Sequence, residues 1–138
     1  MSPRHIFFYG TLMRGFALRE RAGIEPWIRF AGRGTVRGAL FDLGPYPALV
    51  AGSGTVRGEV YLCVDPARLL PRADALEHFD PDRPRAGEYR REALPARLDD
   101  GRTLTVWAYI YNRPLGAAAL LPAGDYRLRA ATPQGPAR

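Results

Sequence analysis

From Trp27 to Leu43 the residues favour an extended chain, yet Gly32, Gly34 and Gly38 interrupt it. Glycine offers no side chain to pack on a sheet surface. Repeated inside a strand, it marks bulges or bends that curve a sheet towards closure. The same punctuation continues downstream. Gly44-Pro45-Tyr46-Pro47 reads as a rigid turn, Ala48–Val50 as a short apolar piece, Ala51-Gly52-Ser53-Gly54 as a second turn, and Thr55–Val64 as a strand. Ile6–Tyr9 opens the chain as a short strand. Tyr89–Leu98 and Thr103–Tyr111 form a hairpin across Asp99-Asp100-Gly101-Arg102. Many short strands with one well-signalled helix predict an α+β fold, a small closed or nearly closed mixed β-barrel with one main helix packed on it.

That helix begins at Asp65, a good N-cap, followed by Pro66, whose missing N–H would be an orphan at the first helical position. Leu69, Ala73 and Leu76 then recur at helical spacing and mark the face that meets the barrel. A briefer helix is expected over Phe16–Ala22, ended by Gly23 and Pro26, and a covering segment over Leu115–Leu121. In the last long strand Trp107, Tyr109 and Tyr111 alternate with Val106, Ala108 and Ile110; periodicity does not decide which set lines the interior. Asp80–Gly87, rich in proline and charge, reads as a mobile loop. Residues 1–126 make one domain, and 127–138 an Arg-containing, loose C-terminal tail.

At 138 residues the chain can bury a core without disulfides or metals. Cys63 is the only cysteine and lies in an apolar strand, where a buried position is expected rather than a reactive thiol. His5 and His78 are not at metal-ligand spacing from other good ligands, so no metal is expected. No apolar run reaches membrane-spanning length and no leader is seen, which predicts a cytoplasmic protein without membrane contact. The formal charge of +6 is carried entirely by arginine, with no lysine. Arg127, Arg129 and Arg138 supply half of it, and the remainder is spread among acids. Without a dense arginine stripe and interleaved aromatics, the charge argues against a nucleic-acid groove.

Two places carry chemistry. Tyr9-Gly10-Thr11-Leu12 breaks abruptly from the first strand. Gly10 there permits unusual backbone angles and close approach of a ligand, and such a bend can aim several N–H groups at a carboxylate or oxyanion. Glu77 lies about two turns beyond Leu69, at the edge of the helix's apolar face and near its C-terminus. The helix dipole is negative there, so an acid beside apolar surface should have a raised pKa, as proton transfer requires. A glutamate pointing to solvent fits the same spacing.

Tyr9-Gly10-Thr11-Leu12 resembles the Tyr-Gly-(Ser/Thr)-Leu signature of the gamma-glutamylcyclotransferase-like family, which includes AIG2-like plant proteins and the bacterial YtfP and BtrG proteins. Leu40–Val50 is similar to its tyrosine–proline block, and Val56-Arg57-Gly58-Glu59-Val60-Tyr61 to its Val-x-Gly-Glu-hydrophobic-Tyr strand. Asp74-Ala75-Leu76-Glu77 resembles its Leu-Asp-x-hydrophobic-Glu-Gly helix, and Tyr89-Arg90-Arg91 its Tyr-x-Arg strand start. Ala73 stands where the family usually has Leu, and His78 where it often has Gly. The resemblance implies the family's barrel fold and the cyclisation of a small γ-glutamyl amine or amino acid to 5-oxoproline, without a cofactor. It implies Glu77 as the catalytic acid/base and Tyr9, Gly10, Thr11, Leu12 and Tyr111 as substrate-binding residues. Two other readings remain: a non-catalytic barrel holding a small metabolite, and an arginine-rich barrel on nucleic acid. The identity of the leaving amine and the oligomeric state are open.

Overall fold

β1 (His5–Phe8) is only four residues long, but the sheet closes through it. In the computed structural model, which describes residues 2–131, β1 runs antiparallel to β3 (Pro47–Cys63) and parallel to β5 (Thr103–Tyr111). β5 pairs with β4 (Tyr89–Leu98), β4 with β2 (Ile28–Asp42), and β2 with β3, completing the ring. The result is a closed five-stranded mixed barrel, as the glycine pattern predicts. β6 (Ala119–Leu120), within the expected covering segment, adds to the end of β2.

The curvature originates where glycine was expected to supply it. The β2–β3 register slips between Phe30 and Gly32 and again between Arg37 and Ala39. At the second slip Arg37 pairs with Thr55 but Ala39 with Val50, so residues 51–54 stand opposite Gly38 alone. The expected turn at Ala51–Gly54 is therefore an irregularity inside one continuous strand. Its small residues let the chain bulge without reversing. The β4–β5 hairpin has the expected limits. Its register puts Trp107, Tyr109 and Tyr111 on one face with Tyr89 and Arg91. Val106 and Ala108, on the other face, are fully buried, as are Ile6, Phe7, Val56 and Val60. Each Val, Ile or Phe among them is worth roughly 1.5–3 kcal/mol relative to exposure. Cys63 is buried, and burial pushes its thiol up to about 11.

α2 (Pro66–Leu76) begins as its sequence dictates: the Asp65 carboxylate accepts the Arg68 N–H at 3.2 Å. Leu69 and Ala73 are completely buried. The helix stops in a Schellman turn, with Phe79 N–H donating to Asp74 O at 2.8 Å and His78 N–H to Ala75 O at 3.2 Å. His78 takes the left-handed conformation this turn requires (φ 53°), which accounts for the glycine expected at its position. α1 (Ala17–Ala22) lies within the expected Phe16–Ala22 span, and a 3₁₀ turn follows at Glu25–Trp27.

The loose tail expected from Arg127 needs correction. Tyr126–Ala131 forms a helix, α3. Tyr126 is buried with its ring 5.6 Å from that of Phe16. Arg127 donates to Glu59 Oε2 at 2.7 Å and to Arg14 O at 2.6 Å, and Arg129 donates to Asp42 at 2.8 Å. These arginines, placed by the sequence in a loose tail, find carboxylates only once the barrel has closed. The remainder of the expected tail, 132–138, lies outside the described residues. Among the described residues no helix is long and apolar enough to cross a membrane.

Candidate functional site

Beyond β1 the chain turns sharply, Met13 N–H donating back to Gly10 O at 3.0 Å. Gly10 is required here, but not for unusual backbone angles: its φ is not positive. A Cβ at this position would fall 2.8 Å from Pro47 Cγ and 2.9 Å from Cδ. Glycine thus permits the β2–β3 turn to press against the β1 turn. Among the described residues the N–H groups of Thr11 and Leu12 have no protein acceptor.

A buried acid holds this turn from behind. Glu59 (3 % exposed) accepts from Arg14 N–H at 3.0 Å, from the Tyr61 hydroxyl at 2.8 Å and from Arg127. Arg19, also buried, donates to Leu12 O at 3.1 Å and to the Tyr61 hydroxyl at 2.9 Å. The Gly-Glu-Val-Tyr strand therefore anchors the Tyr-Gly-Thr-Leu turn. Two motifs far apart in sequence are one assembly.

Glu77 immediately follows α2 and faces that turn across a cavity whose walls include Tyr9, Gly10, Thr11, Leu12, Pro47 and Tyr89. Among the described residues its carboxylate has no hydrogen-bond or ion-pair partner, whereas neighbouring Asp74 is fully engaged. By area Glu77 is only half-buried, but it lies deep in the protein mass. Burial, reinforced by the negative charges of Glu88 and Asp74, pushes its carboxyl up to about 8. The direction is the expected one. Its main cause is desolvation rather than the helix end.

Three tyrosines enclose the acid. Tyr9 donates to Tyr109 O at 2.7 Å, Tyr89 to Pro47 O at 2.6 Å, and Tyr109 to Asp74 Oδ1 at 2.6 Å. Burial raises the pKa of all three, so they stay neutral and offer oxygen lone pairs to the cavity. Asp74 is the keystone: Arg91 grips it with Nε at 2.8 Å and Nη2 at 3.1 Å, and Arg91 itself stacks 4.4 Å over Trp107. This pair locks the end of α2 to β4 and β5.

Of the residues singled out from sequence, Tyr9, Gly10, Thr11, Leu12 and Glu77 line one cavity. Tyr111 does not. Its ring stands edge-on to Tyr89, 5.3 Å between centroids, one layer behind the wall. Sequence reasoning missed Tyr46, Pro47, Tyr89 and Tyr109, all cavity-lining. Tyr46, Pro47 and Tyr89 lie in blocks read as a turn and a strand start, and only the barrel register turns them inward.

The cavity is small, about 20 Å³, room for one ordered water. Tyr46 stands at its edge and donates to Glu88 Oε2 at 2.5 Å. That bond, with burial, pushes the Tyr46 phenol up to about 12. The other Glu88 oxygen faces exposed His78 Nδ1 at 3.2 Å.

Known proteins share both the sequence and this architecture. The family model described as gamma-glutamyl cyclotransferase, AIG2-like, matches residues 6–128. The gamma-glutamylcyclotransferase family protein YtfP of Escherichia coli K12 is 35% identical over 125 residues, covering 88% of this chain and 94% of its own length. A putative gamma-glutamylcyclotransferase of Vibrio cholerae is 41% identical over 88 residues, 64% of this chain and 65% of that one. Among solved structures, an AIG2-like protein from Mus musculus superimposes with a TM-score of 0.64 at 26% identity, covering 83% of this chain and 81% of that one. The solution structure of E. coli ytfP gives 0.61 at 33% identity, covering 91% and 98%.

Proposed function

The chain belongs to the gamma-glutamyl cyclotransferase, AIG2-like family, and from that premise we propose that it cyclises a γ-glutamyl amine or γ-glutamyl amino acid to 5-oxoproline. The substrate's α-amine attacks its own γ-carbonyl carbon and forms the lactam C–N bond. The bond to the leaving nitrogen then breaks, and the amine departs with the proton that the attacking nitrogen lost. No water is consumed. Because the nucleophile is tethered, folding the substrate into a near-attack geometry supplies much of the rate, up to about 7–11 kcal/mol in the most favourable intramolecular reactions.

Glu77 carries the proton, as base towards the α-ammonium and as acid towards the leaving nitrogen. With its carboxyl pushed up to about 8, Glu77 comes far closer in proton affinity to the substrate α-ammonium than an ordinary carboxylate would. The N–H groups of Thr11 and Leu12 receive the oxyanion or the substrate α-carboxylate. The observation that carries this reading is the unpartnered Glu77 carboxylate, facing the free amides of the β1 turn across one cavity. Since that cavity holds only about 20 Å³, binding a γ-glutamyl group requires lining side chains to move.

The test is a panel of γ-glutamyl amines and γ-glutamyl dipeptides assayed for 5-oxoproline, with wild type beside Glu77→Gln. Turnover by wild type and its loss in the variant is the expected result. Equal rates remove Glu77 from the mechanism. Stabilisation by 5-oxoproline in a thermal-shift screen, without turnover of any substrate, identifies a binding protein instead.

A further inference from the structure

Glu88 takes no part in the chemistry above, yet its backbone is held on both sides. Its N–H donates to His78 O at 3.2 Å, and its carbonyl accepts from Asn112 N–H at 2.9 Å. The Asn112 side-chain amide holds the preceding loop through Pro84 O at 2.8 Å and Gly87 O at 3.1 Å. Gly87 passes so close to the end of α2 that a Cβ there would lie 2.0 Å from His78 O. Loop, helix end and β4–β5 edge thus converge to put this one carboxylate on Tyr46, a residue of the cavity wall. The loop expected to be mobile is tied at its end for that placement.

Two things follow from where Glu88 points. It accepts from Tyr46, which lines the cavity, so any movement of Tyr46 that widens the cavity for a glutamyl group breaks that bond. It is also the nearby acid without a cationic clamp. Asp74 is neutralised by bidentate Arg91, while among the described residues Glu88 has only the Tyr46 phenol and the exposed His78 imidazole. The groups facing Glu77 are Tyr9 from β1, Tyr46 from the β2–β3 turn, Asp74 from its own helix, Glu88 and Tyr89 from the start of β4, and Tyr109 from β5. Glu88 leads the charges acting on Glu77.

Resting on the reading of Glu77 as the proton carrier, we propose that Glu88 is a positioning residue for the cyclisation, holding Tyr46 over the cavity and setting the electrostatic surroundings in which Glu77 takes and gives its proton.

The experiment separates charge from closure and reads Glu77 directly. The carboxyl carbon of Glu77 is titrated by NMR in ligand-free wild type, Glu88→Gln, Glu88→Asp and Tyr46→Phe, and the pH profile of kcat/KM is measured beside it. Glu88→Gln should lower the Glu77 midpoint by about one pH unit, a tenfold change in proton affinity, and move the acid limb of the rate profile with it. Glu88→Asp keeps the charge but falls short of Tyr46, and Tyr46→Phe keeps the charge but loses the hydroxyl. Both should hold the midpoint within a few tenths of a unit while altering kcat and KM. An unmoved midpoint in Glu88→Gln overturns the charge role, and wild-type kcat and KM in both closure variants overturn the gate. Absence of turnover in wild type, with the midpoint still shifting in Glu88→Gln, supports the charge assignment and rejects the cyclisation instead.

Discussion

Replacing Glu77 by glutamine should make the protein markedly more stable at alkaline pH and leave its stability in acid almost unchanged. In the unfolded chain the carboxyl titrates near its ordinary 4.5, whereas in the fold it titrates near 8. Between these values the folded state binds the proton and the unfolded state does not, so stability falls as pH rises through this window. Below 4.5 both states are protonated and the penalty vanishes; above 8 it is complete. The displacement from 4.5 to about 8 corresponds to about 5 kcal/mol at 1.36 kcal/mol per pH unit. Water entering by the mouth beside half-buried Glu77 makes this an upper figure. Glutamine has nearly the same shape and does not titrate. The difference in unfolding free energy between Glu77→Gln and wild type, from urea titrations extrapolated to water, should therefore grow by about 2–5 kcal/mol from pH 4.5 to pH 9. A difference that stays constant across this range would mean a solvated carboxylate, and the account of Glu77 as a buried acid would fail.

Other perturbations follow from the same geometry. The profile of kcat/KM against pH should be bell-shaped with its maximum somewhat above 8, because the productive encounter carries one proton between Glu77, at about 8, and a substrate amine whose free α-carboxylate raises it above the roughly 8 of a peptide amine; a plateau from pH 5 to 7 would contradict it. Gly10→Ala drives a methyl group into Pro47 and should cost about 1–3 kcal/mol by overpacking, visible in thermal melts together with loss of activity. Asp74→Asn leaves Arg91 without its bidentate partner and Tyr109 without its acceptor anion, so a loss of about 3–5 kcal/mol is expected in denaturant unfolding. His78→Gly relieves a left-handed residue and should add about 1 kcal/mol; a destabilisation would show that the contact to Glu88 outweighs the strain.

Much of the fold could be read from the sequence because its determinants are local. Asp65-Pro66 starts α2 and the Asp99–Arg102 segment turns the hairpin through short-range chemistry, and glycines at 32 and 38 mark the slips that bend the sheet. The errors lie where distant contacts decide. Ala51–Gly54 has turn composition, yet it is held in line by the long β2–β3 pairing. The arginines of 127–131 resemble a solvated tail until Glu59 and Asp42, on β3 and β2, come within reach. At the site, the β1 turn and Glu77 stand out because each breaks a local pattern, a strand cut short and an acid at the negative end of a helix. Tyr46, Tyr89 and Tyr109 break none; they are ordinary strand and turn aromatics whose direction depends on register. Tyr111 shows the same limit from the other side: it shares a face with Tyr109 but packs behind Tyr89.

The central claim is that one cavity holds the γ-glutamyl moiety between Glu77 and the amides of the β1 turn. A crystal structure with 5-oxoproline bound tests it most directly. The expected result is the lactam seated between Tyr9 and Tyr89, one of its oxygens on the Thr11 and Leu12 N–H groups and its ring nitrogen within hydrogen-bond reach of Glu77. A lactam bound elsewhere, with the Glu77 carboxylate still without a partner, would contradict it.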